Sequence, residues 1–262
     1  MYRSGNVLFL ILLAVALFAA LSYAVTQSSR SGGKDISEED ARLAASQIIQ
    51  YATLIEQTVT RLRLSNGCRD TQISFAADSD GDGNWFDADD DYHNPNAPSD
   101  FSCHVFHTNG GAVPRIQPSE SKLDTAQSTG EGFGDVFFGP MRVRYIGTFE
   151  ANGYCGSADC VDLAYFFPYL KQEVCIQIND MLGVSGDPST QPNEDSGPNT
   201  FQESQRFVGT YFLPHSDIDG NGGNGVTFAQ PTHSACTEAS DPASRPWPGV
   251  GTYHYFHILI PR

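Results

Sequence analysis

The chain opens with an apolar run, followed by a segment in which apolar residues recur at helical spacing. Residues 6–25, NVLFLILLAVALFAALSYAV, contain no charged side chain, and a run of this length can cross a bilayer as a helix. A second helix is predicted over residues 37–66. Ser37 and Asp40 have the spacing of a capping box, and Gly67 follows the last turn. Its apolar stripe consists of Leu43, Ile48, Tyr51, Ile55, Val59 and Leu62.

After Cys68 the pattern changes to short extended runs separated by Gly, Pro, Asn and Asp. Met141 and Val143 alternate with arginines, which predicts a strand with one buried face. The final run is apolar on both faces at its end, as expected for a central strand. The predicted strands are 71–77, 103–107, 135–139, 141–151, 206–214, 225–230 and 252–260.

One further helix is predicted over residues 168–184, with Pro168 in its first turn and Gly183 at its end. Cys175 lies beside its apolar stripe and could pin this helix to a strand. The predicted fold class is α+β. An N-terminal transmembrane helix and an amphipathic helix lead to a mostly antiparallel, β-rich head with one further helix.

These elements predict three regions along the chain. A leader and anchor helix occupies residues 1–30, an amphipathic stalk helix residues 37–66, and an extracytoplasmic head residues 67–262. The hydrophobic content of 40% supports a sizeable core. The formal net charge of −16 would repel a phosphate backbone, so we expect no nucleic-acid partner.

The cysteines indicate the redox compartment. Their number is even and no C-x-x-C pair occurs, which favours disulfides in an oxidising compartment over a zinc site. Free buried thiols are the alternative. The nearest local pair is Cys155 and Cys160, although the spacing does not define the connectivity. The disulfide candidates are Cys68, Cys103, Cys155, Cys160, Cys175 and Cys236.

Residues 78–91, DSDGDGNWFDADDD, place seven aspartates in fourteen positions. Alternate carboxylates on a tightly turning loop converge on one point, and Gly83 permits the turn. This spacing matches a calcium loop that ends in Asp instead of Glu, and Asp87 could also serve as a ligand. An acidic, solvated loop is the alternative. The predicted calcium ligands are Asp78, Asp80, Asp82, Asn84 and Asp89.

A second, weaker calcium loop is predicted at Asp217, Asp219 and Asn221. These residues keep the first three ligand positions of the pattern, but Phe228 stands where the closing carboxylate belongs. A Gly- and Asn-rich hairpin turn is the alternative interpretation.

The layout of the first 65 residues resembles the type IV pilin and pseudopilin superfamily. A short basic leader ends at Gly5, the apolar helix starts at Asn6, and an amphipathic helix follows. The chain departs from the family at Leu10, where most members carry a glutamate, and at Asn6, where phenylalanine or methionine is usual. The resemblance implies cleavage after Gly5 by a prepilin peptidase, anchoring in the inner membrane and later packing in a filament core. Some members use calcium to order a loop of the head.

Two other interpretations of the N-terminus remain open. Cleavage of a secretory signal after Ala24 would start the mature chain at Val25, and the apolar run could also stay uncleaved as a plain anchor. The predicted location is anchored in the inner membrane, with the head in the periplasm or outside the cell.

The expected function is structural. The chain contains no G-x-S-x-G, H-E-x-x-H, Walker or G-x-G-x-x-G motif, so we predict that it is not an enzyme. The expected partners are the membrane and other pilin-like subunits, or a secretion or pilus assembly machinery. One alternative is a secreted or anchored calcium-dependent binding module, such as an adhesin or glycan-binding domain. Another is an extracytoplasmic hydrolase with an unrecognised site.

Overall fold

The computed structural model describes residues 13, 15, 37–78, 85, 92–130, 132–143, 146, 161–184, 195–196, 206–212, 216–218, 232–239 and 251–262. The chain divides into two compact units, Met1–Asp40 and Ala41–Arg262. Within the described residues, no helix is long and apolar enough to cross a membrane. Most of the apolar run 6–25 lies outside the described residues, as do Gly5 and Asn6.

Helix α1 runs from Glu38 to Ser65, in agreement with the prediction of a helix over 37–66. Ser37 caps the helix as predicted, because its hydroxyl accepts from the Asp40 amide at 3.2 Å. The Asp40 carboxylate accepts from this hydroxyl at 2.7 Å, in place of the Ser37 amide bond of a full capping box. One face of the helix is buried in the core of the larger unit. The buried residues are Ala41, Ala44, Ala45, Ile48, Tyr51, Ala52, Ile55, Thr58, Val59 and Leu62.

The prediction was wrong for Leu43, which is 59% exposed. Leu43 precedes Ile48 by five residues, and this spacing turns its side chain roughly 140° away from the buried face. Ala44 and Ala45 take the buried positions of this turn instead.

Four antiparallel strands form the centre of the sheet, in the order β1-β2-β6-β5. The short strand β4 pairs in parallel with the end of β1, and β3 pairs with β4. All nine residues of β2 are buried, as its central position requires. The described strands are β1 (Phe137–Val143), β2 (Asp162–Leu170), β3 (Asp195–Ser196), β4 (Ser216–Ile218), β5 (Ser234–Glu238) and β6 (Tyr253–Ile260).

Two of the predicted runs meet in one strand. Runs 135–139 and 141–151 were predicted separately, but β1 continues from Phe137 through Val143. The prediction of a central C-terminal strand is confirmed, because β6 lies between β2 and β5. Strand β5, SACTE, is short and largely polar, and its sequence carried no strand signal.

Strand β2 was missed, and its end was wrongly assigned to the following helix. Pro168 stands inside β2, at a register shift between Phe167 and Leu170. Tyr169 adopts a positive φ of 55° at this bulge. A bulge is one of the places where a strand tolerates proline. Helix α2 therefore starts only at Gln172 and ends at Leu182.

The predicted strands at 71–77 and 103–107 were wrong in extent. They meet in a single parallel bridge between Ser74 and His104, with the Val105 amide donating to the Ser74 carbonyl at 2.9 Å. A short 3-10 helix at Asp70–Gln72 and turns beyond His104 end the pairing. Residues 206–212 form no strand, and the predicted strand at 225–230 lies outside the described residues.

Two disulfides join helices α1 and α2 to the rest of the Ala41–Arg262 unit. Cys175 of α2 pairs with Cys236 of β5, with a Cα–Cα distance of 5.3 Å, so the prediction that Cys175 pins its helix to a strand is confirmed. Cys68, just after α1, pairs with Cys103 at a Cα–Cα distance of 5.8 Å. The remaining candidates, Cys155 and Cys160, lie outside the described residues.

Candidate functional site

The predicted calcium loop begins where a buried segment ends. Phe75, Ala76 and Ala77 are buried, and the half-buried Asp78 follows them. The other predicted ligands, Asp80, Asp82, Asn84, Asp87 and Asp89, lie outside the described residues, so the site stays a prediction. Among the described residues, no group of three or more His, Cys, Asp or Glu is arranged to hold a metal ion.

The weaker loop is described at only one of its three predicted ligands. The backbone of Asp217 lies in β4, opposite Arg142 of β1 and Asp195 of β3. Asp219 and Asn221 lie outside the described residues. The second calcium site also stays a prediction.

Trp85, the eighth residue of the aspartate loop, contacts an aromatic cluster formed by Phe101, His104 and His107. Its ring centroid lies 4.7 Å from that of His107, with the two planes at 80°. The rings of Phe101 and His107 stack at 4.3 Å. The sequence signalled the acidic residues around Trp85 but gave no role to its indole ring, which fixes one point of the loop against the rest of the molecule.

The histidines of this aromatic cluster favour the neutral form. Burial, together with the neighbouring His107 and His93, lowers the pKa of His104 to about 4, and Asp100 partly opposes this shift. Burial also lowers the pKa of His107. At neutral pH, the Trp85 ring therefore adjoins uncharged imidazoles, and acidification would add positive charge beside it.

The histidines of β6 serve structural contacts. His254 hydrogen-bonds Thr237 at 2.6 Å. His257 contacts the Glu56 carboxylate at 2.9 Å and the Tyr255 hydroxyl at 3.1 Å. Because Glu56 belongs to α1, this contact joins the helix to the sheet.

A groove of about 310 Å³ lies between α1 and residues 116–122. Its lining includes Leu54 from the helix, Ile116 and Lys122 from the facing segment, and Phe167 from β2. Sequence reasoning missed this groove because its walls are far apart along the chain. Residues 117–132 are rich in Ser, Thr, Gly and charged residues, a composition typical of an exposed loop.

The Tyr51 hydroxyl holds the two walls of the groove together. It donates to the Pro114 carbonyl at 3.2 Å and accepts from the Ile116 amide at 3.2 Å. Burial raises the pKa of Tyr51, which keeps the hydroxyl protonated and able to donate. These hydrogen bonds therefore fix the segment that forms one wall of the groove against α1.

Comparisons of the chain with protein-family models, with curated proteins and with solved structures find no match.

Proposed function

We propose that the protein is a membrane-anchored, extracytoplasmic structural subunit with a pilin- or pseudopilin-like layout. The observation that carries this proposal is the position of α1. The apolar run 6–25 precedes this helix closely in the sequence, and the apolar face of the helix is buried in the Ala41–Arg262 unit from Ala41 to Leu62. An anchor at the apolar run would therefore be joined to the head through an element of the core.

Two further observations support the proposal. The disulfides Cys68–Cys103 and Cys175–Cys236 fit an oxidising compartment outside the cytoplasm. The aspartate loop fits a compartment in which calcium is near millimolar, because even a weak loop would be filled there. The proposed partners are the membrane and other subunits of a filament, or a secretion or pilus assembly machinery.

The mature N-terminus tests this proposal. Protein purified from its native membrane would be analysed by mass spectrometry, and we expect a chain that begins at Asn6. A chain that begins at Val25 would identify a cleaved secretory signal, and an intact Met1 would identify a plain anchor. Either of these two results would contradict processing of the pilin type.

A further inference from the structure

The groove beside α1 has apolar walls that are open to solvent. Leu54 of α1 and Ile116 of the neighbouring segment both line it and are 42% and 49% exposed. The buried side chains of Ile48 and Phe167 also line it. Its uncharged polar lining residues include Gln47, Gln50 and Gln117. Its volume of about 310 Å³ lies at the lower end of the range for small-molecule sites.

One cation stands in this apolar lining. Among the described residues that line the groove, only Lys122 is charged. It is one of three lysines in a chain with a net charge of −16. Among the described residues, no carboxylate lies within ion-pair distance of its ammonium group. Partial burial lowers the pKa of Lys122, so its charge is incompletely solvated and would be stabilised by an anion in the groove.

The positions of the lining residues are fixed by backbone hydrogen bonds. The Lys122 amide donates to Ser119 at 3.0 Å, and the Lys122 carbonyl accepts from Lys171 at 3.0 Å. Leu123 forms a bridge with Leu170 at the end of β2. The Tyr51 hydroxyl holds the opposite end of the segment at Ile116. A ligand would therefore enter a groove that needs little ordering on binding.

We propose that this groove binds a small organic monocarboxylate, with its apolar or aromatic body between Leu54 and Ile116 and its carboxylate on the Lys122 ammonium. The acidity of the rest of the protein disfavours anions of higher charge, because a single lysine would have to offset their repulsion. The site does not depend on the pilin-like proposal.

Isothermal titration calorimetry of the full chain in zwitterionic lipid nanodiscs tests this inference, with phenylbutyrate as the probe and empty nanodiscs as the blank. We expect saturable binding with a dissociation constant in the millimolar range or tighter. Phenylbutyramide, which has the same shape without the charge, should bind about tenfold more weakly.

Matched variants test whether the ammonium group of Lys122 binds the carboxylate of the probe. Lys122→Gln should weaken phenylbutyrate binding about tenfold and leave the affinity for phenylbutyramide unchanged. Lys171→Gln removes the same charge outside the lining and should change neither affinity by more than about twofold. Ile116→Asp places a carboxylate in the apolar wall and should abolish binding of both compounds. Because its side chain is largely exposed, this variant should keep the wild-type melting temperature.

Three results would overturn the inference. The first is the absence of saturable heat with phenylbutyrate. The second is equal affinity for the acid and the amide in the unmodified chain. The third is an equal loss of phenylbutyrate affinity in Lys122→Gln and Lys171→Gln.

Discussion

The sheet and the loop layer beside it, which comprises residues 66–78 and 92–130, satisfy their backbone groups in different ways. In the sheet, the ladders between β1, β2, β6 and β5 distribute the hydrogen bonds over many residues. In the loop layer, a few side chains each hold several backbone groups. Asn94 donates to the carbonyls of Thr71 at 3.0 Å and Ile73 at 2.7 Å, and it accepts from the Asn96 amide at 2.8 Å.

The two regions meet at the outer edge of β1. The Tyr92 hydroxyl donates to the Val136 carbonyl and accepts from the Phe138 amide at 3.1 Å. The rings of Phe75 and Phe138 stack at 4.2 Å. Polar side chains of the loop layer thus replace ladder bonds at this edge, so single substitutions should affect the loop layer more locally than the sheet.

The largest expected effect is the loss of a disulfide. Replacing either Cys68 and Cys103 or Cys175 and Cys236 by Ser should lower the free energy of unfolding by about 4 kcal/mol in each case. The similar size follows from loops of 35 and 61 residues, because the cost of loop closure grows slowly with length.

Limited proteolysis separates the two disulfide variants. Without Cys68–Cys103, the loop layer should be cleaved near residues 98–113. Without Cys175–Cys236, β5 keeps its ladder to β6. The Asn179 side chain also still donates to the carbonyl of residue 236 at 2.9 Å and accepts from its amide at 2.8 Å. Equal resistance to protease in both variants would show that the two regions do not differ in this way.

Asn94→Ala should lower the free energy of unfolding by about 3 kcal/mol, measured by urea denaturation. The substitution leaves the buried carbonyl of Ile73 and the partly buried carbonyl of Thr71 without the donor that Asn94 supplies. Asn96→Ala is the control. Asn96 is exposed, and its side chain makes one bond to the Gly209 carbonyl at 3.1 Å, so it should cost less than about 1 kcal/mol. Similar losses in both variants would contradict the role given to Asn94.

The pH dependence of stability has opposite signs at two buried groups. Burial raises the pKa of Asp162 in β2 from 3.8 to about 7. Between these values the native state keeps a proton that the unfolded state releases, so this group lowers stability as pH rises from about 4 to about 7. The pKa of His104 in the loop layer falls from 6.5 to about 4. The unfolded state binds the extra proton there, so this group lowers stability as pH falls from about 6.5 to about 4.

Substitution of each group should reveal its contribution to the dependence of stability on pH. In Asp162→Asn, the stability between pH 4 and pH 7 should rise more steeply with pH than in the unmodified chain, by at most about 1.4 kcal/mol per pH unit. In His104→Gln, stability should rise less steeply between the same limits. His257, whose pKa burial also lowers, adds to the His104 effect. Urea unfolding at several pH values checks both slopes, and identical profiles in the two variants would refute the assignment.

The elements that the sequence predicted well are those with local signals. The apolar period of α1 and its cap at Ser37 and Asp40 depend only on residues that are close together in the sequence. Strand β2 was missed because it is buried on both faces and shows no alternation, and because Pro168 imitates a helix start. The run 71–77 had the composition of a strand, but it pairs with the rest of the chain through a single bridge to His104, which is distant in the sequence.

The same division holds for the candidate sites. The aspartate loop could be predicted because its ligands fall within one short segment at a fixed spacing. The groove could not, because Tyr51 and Ile116, which build it, are 65 residues apart. The aromatic contact of Trp85 likewise depends on residues 101–107, which no local pattern connects to the loop.

The smallest expected effect concerns the calcium loop, and Trp85 provides the means to measure it. Trp247→Phe leaves Trp85 as the sole tryptophan of the chain. Since its ring lies against His107, ordering of the loop by calcium should change its fluorescence. Calcium at about 1 mM should also raise the free energy of unfolding by about 1.4 kcal/mol, if the dissociation constant is about 0.1 mM. Calcium titration followed by urea unfolding with and without chelator measures both.

Substitutions within the loop distinguish a bound ion from a solvated acidic segment. Asp80→Asn and Asp82→Asn remove predicted ligands and should abolish both responses. Asp90→Asn removes the same charge from a residue that is not a predicted ligand, and should keep them. If the loop is merely acidic and solvated, all three variants will respond alike, because calcium will then act only by screening charge. In that case the head is stabilised without an ion, and the similarity between the aspartate loop and calcium loops ends at its spacing.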